Sequence, residues 1–227
     1  NKEKQTIVEN FEYEPDGVIN TGLPRWDVLK DKSQGKREIL IMPTWRNWLD
    51  SVPDKDFEES DYFRHYMGLL NSERLNQILE KYDLEVNFYL HAKFQEYADT
   101  FKSISKRIHL ISFGEVAVNE MLMRCRMLIT DYSSVCWDIL YQDKPSLFYQ
   151  FDIEKYNEAH GSYIDMETEL FGDRAATQEQ LLDYLEETVQ NDFRLKPEYE
   201  KMRGEYLQFK DHEHSRHICE EIKKRFH

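Results

Sequence analysis

Short apolar runs alternate with longer segments of helical periodicity along most of this chain. Five runs have the length of buried strands: Glu38–Met42, Val86–Leu90, Arg107–Ser112, Met127–Thr130 and Pro145–Tyr149. Glu38–Met42 in particular is a continuous apolar run, which is typical of a strand in a parallel sheet covered on both faces. The pattern therefore predicts a sheet whose strands are separated by helices.

Apolar residues at helical spacing predict the remaining elements. The predicted helices are Lys4–Phe11, Tyr62–Tyr82, Glu96–Phe101, Val116–Cys125, Val135–Tyr141, Gln178–Gln190, Pro197–Phe209 and Ser215–Phe226. A short strand is predicted at Val18–Asn20, a loop at Asp50–Glu59 and irregular structure at Asp152–Arg174. Strands that alternate with helices form doubly wound sheets with right-handed crossovers, so we predict an α/β, Rossmann-like fold.

Composition narrows the functional classes. The 227 residues carry 44 acidic and 30 basic side chains, a net charge of −14. Such a surface argues against nucleic-acid binding, whose affinity comes largely from neutralising phosphates. No apolar run reaches the roughly 18 residues of a spanning helix. Because the chain begins with Asn1 rather than Met, we expect it to be part of a longer protein.

Cysteine and histidine spacing indicates no metal site. The three cysteines include no pair at zinc-ligand spacing, and we expect reduced thiols. His212 and His214 lie too close in sequence to form a helical metal pair. No aspartate pair stands out for Mg²⁺, although a Mg²⁺ requirement is left open.

Polar residues follow several of the predicted strands. Ligands of doubly wound sheets bind at the carboxyl ends of strands, near the point where the strand order reverses. The segments at those ends are Pro43–Arg46, His91, Ser112–Glu115, Asp131–Ser134 and Tyr149–Asp152. Together they predict a crevice for an anionic ligand.

Each of these signals also has an ordinary structural interpretation. Ser133 and Ser134 open a helix, where backbone N–H groups attract phosphate, but either serine fits equally well as a helix N-cap. Arg46 has the forked head that suits phosphate, yet a lone arginine after a strand is more often a surface residue. His91 suits proton transfer or phosphate binding, and it also suits a capping or solvated position.

Several motifs jointly resemble one family. They are TGLPRWD at Thr21–Asp27, PTWR at Pro43–Arg46, Leu90 with His91, LITDYSSVCWD at Leu128–Asp138 and KPSLFYQFDIEKY at Lys144–Tyr156. The chain resembles, from about Thr21 to about Ile218, the CDP-glycerol glycerophosphotransferases. This family includes teichoic acid primases and polymerases and related capsule polymerases.

The resemblance implies a GT-B fold of two Rossmann-like domains, of which residues 1–227 form the C-terminal, donor-binding one. Helices near 1–20 and 197–227 would be peripheral, and the N-terminal acceptor domain would be missing. An acceptor hydroxyl on a polyol-phosphate or lipid-linked polymer attacks the β-phosphate of CDP-glycerol or CDP-ribitol, and CMP leaves. The implied location is cytoplasmic, with the parent protein peripheral on the inner face of the cell membrane.

The resemblance also implies roles for single residues. His91 would be catalytic and would steady the donor pyrophosphate. The expected phosphate-binding residues are Thr44, Arg46, Asp131, Ser133, Ser134, Ser215, Arg216 and His217. The expected residues on the nucleotide side are Pro43, Ser112, Phe113, Gly114 and Glu115.

The chain departs from the family pattern at four places, which motivates two alternatives. Ala92 replaces a usual proline, His212 a usual glycine, His217 a usual arginine, and Phe171–Arg174 a usual Pro-Gly-Pro run. One alternative is a non-catalytic GT-B-like module of a larger polymerase. The other is a GT-B enzyme that uses a UDP-sugar.

Overall fold

A computed structural model, which describes residues 2–226, shows a six-stranded sheet. Its strands are β1 (Glu38–Ile41), β2 (Glu85–Tyr89), β3 (Ile108–Ile111), β4 (Met127–Thr130), β5 (Ser146–Tyr149) and β6 (Asp173–Ala175). All neighbouring strands are parallel, in the order β3-β2-β1-β4-β5-β6. The doubly wound, Rossmann-like prediction is confirmed, and the strand order reverses between β1 and β4.

Helices precede or connect these strands. The α-helices of the described residues are α1 (Lys2–Phe11), α2 (Asp54–Glu58), α3 (Asp61–Leu70), α4 (Glu73–Lys81), α5 (Val118–Arg124), α6 (Val135–Tyr141), α7 (Ile153–Ala159), α8 (Gln178–Gln190), α9 (Pro197–Tyr206) and α10 (His214–Phe226). Shorter 3-10 helices span Pro15–Gly17, Pro24–Val28, Asn47–Leu49 and Ala92–Thr100. No helix in residues 2–226 has the length and hydrophobicity that a membrane crossing requires.

Two apolar layers cover the sheet, which explains the continuous apolar strands. Ile39 and Ile41 of β1 pack in one layer with side chains of α3, α4 and α8, whereas Leu40 packs in the other layer with α5 and α6. Successive side chains of a strand point to opposite faces, so a strand buried on both faces is apolar at every position. The same packing fixes the carboxyl edge of the sheet, where the polar loops gather.

Several element predictions were wrong in detail. The predicted helix Tyr62–Tyr82 is interrupted, because the Ser72 hydroxyl accepts a hydrogen bond from the N–H of Leu75 and begins α4 there. Val18–Asn20 forms no strand, and Pro197–Phe209 ends as a helix at Tyr206. Glu96–Phe101 lies largely within a 3-10 helix rather than an α-helix.

Two segments predicted without regular structure contain some. Asp50–Glu59 includes α2, and Asp152–Arg174 includes α7 and the first residues of β6. β6 has only three residues, of which Ala175 alone is buried. A strand this short shows no alternation of its own, so only its pairing with β5 reveals it.

Candidate functional site

The loops after β1 and β4 are joined at the point where the strand order reverses. The Thr130 hydroxyl donates to the carbonyl of Met42 at 2.7 Å, and the Thr44 N–H donates to Asp131 Oδ1 at 2.8 Å. Both bonds cross from one loop to the other. The crevice that the sequence predicts therefore has a rigid base made of adjacent strand ends.

Asp131 is the central acceptor of this base. Its Oδ1 also accepts from the Tyr132 N–H at 2.6 Å, and its Oδ2 accepts from the Tyr66 hydroxyl at 3.0 Å. The same Oδ2 lies 2.9 Å from Arg46 Nη2 in an ion pair without solvent exposure. Both carboxylate oxygens are thus used within the chain, which gives Asp131 a structural role.

Arg46 is held between carboxylates of two other loops. Its side chain is fully buried, with Nε donating to Asp152 Oδ2 at 2.8 Å and Nη1 donating to the Thr44 carbonyl at 2.8 Å. Desolvation is the largest single influence on the pKa of Arg46 and lowers it, but the charges of Asp131 and Asp152 raise the pKa by more in total. The guanidinium between the two carboxylates therefore keeps its charge. Nε, Nη1 and Nη2 of Arg46 thus all have partners within the chain, and direct contact of Arg46 with phosphate stays a prediction.

Ser133 and Ser134 line a pocket of about 630 Å³ together with Tyr132. The Ser133 hydroxyl accepts from the Val135 N–H at 3.4 Å. Ser134 is exposed and occupies the N-cap position of α6, but its side chain makes no capping hydrogen bond. Ser134 thus occupies the N-cap position, but its hydroxyl does not cap a backbone N–H of α6.

The pocket is built from α1, from the turn before α6 and from the segment before β6. Its apolar walls include Ile7, Trp137, Phe148, Met166 and Leu170. A pocket of several hundred Å³ with apolar walls and a few polar groups is typical of a site for a small organic ligand.

Helix α1 covers one side of this pocket through few contacts. Lys2 pairs with Glu169 and Phe11 packs against Tyr163 at 5.1 Å between ring centroids. No residue of α1 is buried. The helix therefore contributes a wall to the pocket without belonging to the core.

His91 follows β2 and lies at the same edge, although it does not line that pocket. Its Nδ1 accepts from the Lys93 N–H at 3.2 Å, and its ring stacks on Trp45 at 6.4 Å between centroids. Accepting at Nδ1 places the ring proton on Nε2. Desolvation lowers the pKa of His91 below its ordinary value, Lys93 lowers it further, and Asp131 opposes both. His91 is therefore a neutral Nε2–H donor at neutral pH.

Two buried polar atoms just after β1 lack a hydrogen bond. Thr44 Oγ1 and Trp45 Nε1 have no hydrogen-bond partner among the residues that the structure describes. Pro43, the neighbouring residue expected on the nucleotide side, is itself buried. Thr44 and Trp45 thus offer hydrogen-bonding capacity next to His91.

The expected nucleotide side lies at the sheet edge. Ser112–Glu115 is an exposed turn after β3 that contains Gly114 at φ +84° and Phe113 with 61% of its surface exposed. The Ser112 N–H donates to Glu115 and the Phe113 N–H to Gln95. Three interstrand spacings separate β3 from β4, about 14 Å in all. The turn is thus far from the two serines but on the same edge.

The pocket beside Ser133 and Ser134, called the serine pocket below, is not lined by Ser215, Arg216 or His217. The N–H groups of His214 and Ser215 donate to Asp27 at 2.7 and 3.0 Å, so the chain's own carboxylate caps α10. Arg216 pairs with two glutamates of the same segment, and His217 with Asp211 at 3.1 Å. An anion at this helix end would have to displace Asp27.

Sequence reasoning missed the internal partners of the site. Asp152 neutralises Arg46, and Tyr132 donates to Asp152 Oδ1 at 3.0 Å while its ring stacks on Tyr156. Asp138, which follows the two serines, accepts from Arg25 at 2.7 Å. The sequence showed that Asp152 follows the predicted strand at Pro145–Tyr149. It did not show that Asp152 pairs with Arg46.

Comparison with known proteins agrees with this architecture. Residues 1–224 match the family described as CDP-Glycerol:Poly(glycerophosphate) glycerophosphotransferase. The minor teichoic acid biosynthesis protein GgaB of Bacillus subtilis (strain 168) is 30% identical over an alignment of 223 residues, which covers 92% of this chain and 24% of that protein. The teichoic acid glycerol-phosphate transferase of Staphylococcus aureus (strain NCTC 8325 / PS 47) is 26% identical, with 96% of this chain and 58% of that protein covered.

A solved structure shows the same fold. A variant of the wall teichoic acid polymerase TagF soaked with CDPG superposes with a TM-score of 0.71 at 21% identity, covering 97% of this chain and 55% of that one. The chain thus spans between about a quarter and somewhat over half of these proteins. It belongs to the CDP-glycerol:poly(glycerophosphate) glycerophosphotransferase family.

Proposed function

We propose that this chain supplies the donor-binding half of an enzyme that transfers glycerol phosphate or ribitol phosphate from a CDP-alditol to an acceptor hydroxyl. The observation that carries the proposal is the Ser133–Ser134 turn, which opens onto a pocket of about 630 Å³ beside the strand-order reversal. Ligands of doubly wound sheets bind at such reversals. Membership of the family supports the CDP-alditol class.

Different residues at this edge would contact different parts of the donor. Ser133 and Ser134 would donate hydroxyl hydrogen bonds to the pyrophosphate of the donor, on a turn that Arg46 and Asp131 hold in place. His91, as a neutral Nε2–H donor, would contact a phosphate oxygen without giving up its proton. The leaving CMP phosphate has a second pKa of about 6, so its departure needs no full proton transfer.

The transfer itself conserves atoms and charge. The acceptor oxygen forms a bond to the β-phosphorus of the donor, the bond from that phosphorus to the bridging oxygen breaks, and CMP leaves with the electron pair. The acceptor hydroxyl proton passes to a base on the acceptor side of the reaction. We assign that base to an N-terminal domain of the parent protein, together with the site for a polyol-phosphate or lipid-linked polymer.

The parent protein would work on the inner face of the cell membrane. There the cytoplasmic nucleotide donor and a lipid-linked acceptor can meet.

Calorimetric titration of the chain with CDP tests the donor site. We expect saturable binding that Ser134→Ala weakens at least about tenfold, equivalent to about 1.4 kcal/mol. Ser51→Ala is the matched control, because Ser51 is exposed and does not line the pocket. Absence of CDP binding would instead support a non-catalytic module.

Competition among CDP, UDP and GDP tests the nucleotide class. A preference for CDP supports the CDP-alditol donor, whereas a preference for UDP would support a UDP-sugar enzyme. In the parent protein, release of CMP from CDP-glycerol or CDP-ribitol should fall in His91→Ala. Undiminished release in that variant would remove His91 from the mechanism.

A further inference from the structure

Three potential metal-ligating side chains converge at the start of α10, away from the serine pocket. They are Asp211, His214 and His217. Each offers one donor atom, and the three donor atoms lie within 4.8 Å of one another. The pair His212 and His214, which the sequence analysis considered, is not the pair that converges.

Helix geometry explains this convergence. His214 and His217 are three residues apart on α10, so they lie on one face of the helix. Asp211 precedes the helix, and its Oδ1 accepts from the Glu213 N–H at 3.1 Å while its Oδ2 lies 3.1 Å from His217 Nε2. Ligands on a tetrahedral ion with bonds of about 2.1 Å are about 3.4 Å apart, so one edge of such a site is already formed.

The surroundings orient the His214 ring. The ring is fully buried, and its Nδ1 lies 3.0 Å from the carbonyl oxygen of Thr21, to which it donates. Nε2 therefore carries the lone pair and lies 3.0 Å from the Tyr141 hydroxyl. A metal-binding histidine characteristically donates its other ring N–H to a carbonyl in this way, which sets the tautomer and the ring orientation.

The other two ligands provide capacity and access. His217 directs Nε2 at Asp211, while its buried Nδ1 has no hydrogen-bond partner within residues 2–226. The Asp211 side chain is 43% exposed, against 15% for His217, which leaves a path from solvent to the cluster. Arg216 points its guanidinium at Glu213 and Glu220, so its charge is neutralised within the helix.

We propose that Asp211, His214 and His217 form a binding site for a Zn²⁺-class divalent ion, with a fourth position left to water or an anionic oxygen. Two imidazoles and one carboxylate suit Zn²⁺, Co²⁺ and Ni²⁺, whereas Mg²⁺ and Ca²⁺ prefer oxygen ligands. Three protein ligands leave one position of a tetrahedral ion open. The Tyr141 hydroxyl yields its bond to His214 when the ion binds. This site is independent of the proposed donor function.

Metal titration of the chain, after removal of ions with a chelator, tests the site. We expect one Zn²⁺ per chain, no comparable binding of Mg²⁺, and a rise in melting temperature with Zn²⁺. His217→Gln should weaken Zn²⁺ binding at least about tenfold, since one of three ligands is lost. His109→Gln is the matched control, because His109 contacts Glu85 at 2.9 Å in a histidine–carboxylate pair outside the cluster.

Two further measurements keep the test decisive if His217→Gln folds poorly. Co²⁺ bound to the wild-type chain should give the intense visible absorption of a four-coordinate ion, and Cys219→Ser should retain it, because Cys219 is exposed on the same helix. Zn²⁺ affinity unchanged in His217→Gln, loss of binding in Cys219→Ser, or a weak six-coordinate Co²⁺ spectrum would each overturn the proposal.

Discussion

Buried charge at the carboxyl edge of the sheet is concentrated in Arg46, Asp131 and Asp152. The arginine lies between the two carboxylates, with contacts of 2.9 Å to Asp131 and 2.8 Å to Asp152. The Tyr132 ring also lies over the guanidinium, with 4.8 Å between the ring centroid and Arg46 Cζ. These contacts make the three residues an internal scaffold of the site, since no polar group of Arg46 is left for solvent.

Replacing Arg46 with methionine should destabilise the chain strongly. The substitution leaves two carboxylates at the sheet edge without their counter-charge, and breaking such a buried pair costs about 3–5 kcal/mol. Urea unfolding would measure the change. Arg64→Met is the control, because Arg64 is exposed and lies 3.9 Å from Asp61, and it should change stability by less than about 0.5 kcal/mol. Equal effects of the two variants would disprove the scaffold role.

His91 should make folding stability depend on pH. Its pKa is lower in the folded chain than the ordinary value of about 6.5, so the folded state favours the neutral ring. The contribution is therefore present above about pH 6.5 and is lost as the pH falls below that value toward the folded pKa. Between about pH 7.5 and about pH 5 the wild type should lose more free energy of unfolding than His91→Gln. Parallel pH profiles would refute this assignment.

At the scale of elements, two contacts join α10 to the segment Thr21–Asp27, which includes the first residues of the 3-10 helix Pro24–Val28. Asp27 caps α10, and the His214 ring packs against Gly22, which has φ +72°. A Cβ at Gly22 would lie 2.1 Å from His214 Nδ1. The motif at Thr21–Asp27 thus serves partly to dock the last helix.

Gly22→Ala should therefore destabilise the chain more than a positive φ alone explains. Gly35 is the matched control, because it also has φ +72° but a Cβ there would meet nothing within 4 Å. Gly35→Ala should cost about 1–2 kcal/mol from backbone strain, and Gly22→Ala should cost about 1–3 kcal/mol more from overpacking. Urea unfolding of both variants measures the difference. Similar losses would show that His214 moves aside without cost.

At the scale of the whole molecule, the carboxyl edge collects groups from separate parts of the chain. β1, β2 and β4 present Thr44, His91 and Ser133 along three adjacent strands. One wall of the pocket beside Ser133 comes from α1, which is far from Ser133 in the sequence. The donor site proposed above therefore depends on the complete doubly wound sheet.

We expect the isolated chain to show little turnover even where it binds CDP. In-line transfer needs an oriented acceptor and a base, and orientation contributes several orders of magnitude to such reactions. Chromatographic measurement of CMP release should give a rate at least about 10³-fold below that of the parent protein. Comparable release by the chain alone would place the acceptor site and the base within residues 1–227.

The sequence by itself determined the sheet, and it predicted a site at the carboxyl ends of the strands. Most positions of β1, β2, β4 and β5 are apolar because both faces of the sheet are covered, so these strands were visible in the local pattern. Their polar carboxyl ends followed from the chain direction of a parallel sheet. The family motifs then indicated the ligand class before any contact was known.

Only the tertiary structure decided which side chains line the pocket and which contact one another. Arg46 could be assigned to Asp152, and His214 to the cluster with Asp211 and His217, only once strands and helices were packed. β6 likewise appeared only through its pairing with β5. The physical reason is that strand and helix patterns are set by neighbours along the chain, whereas ion pairs, pockets and ligand clusters depend on distances between segments far apart in sequence.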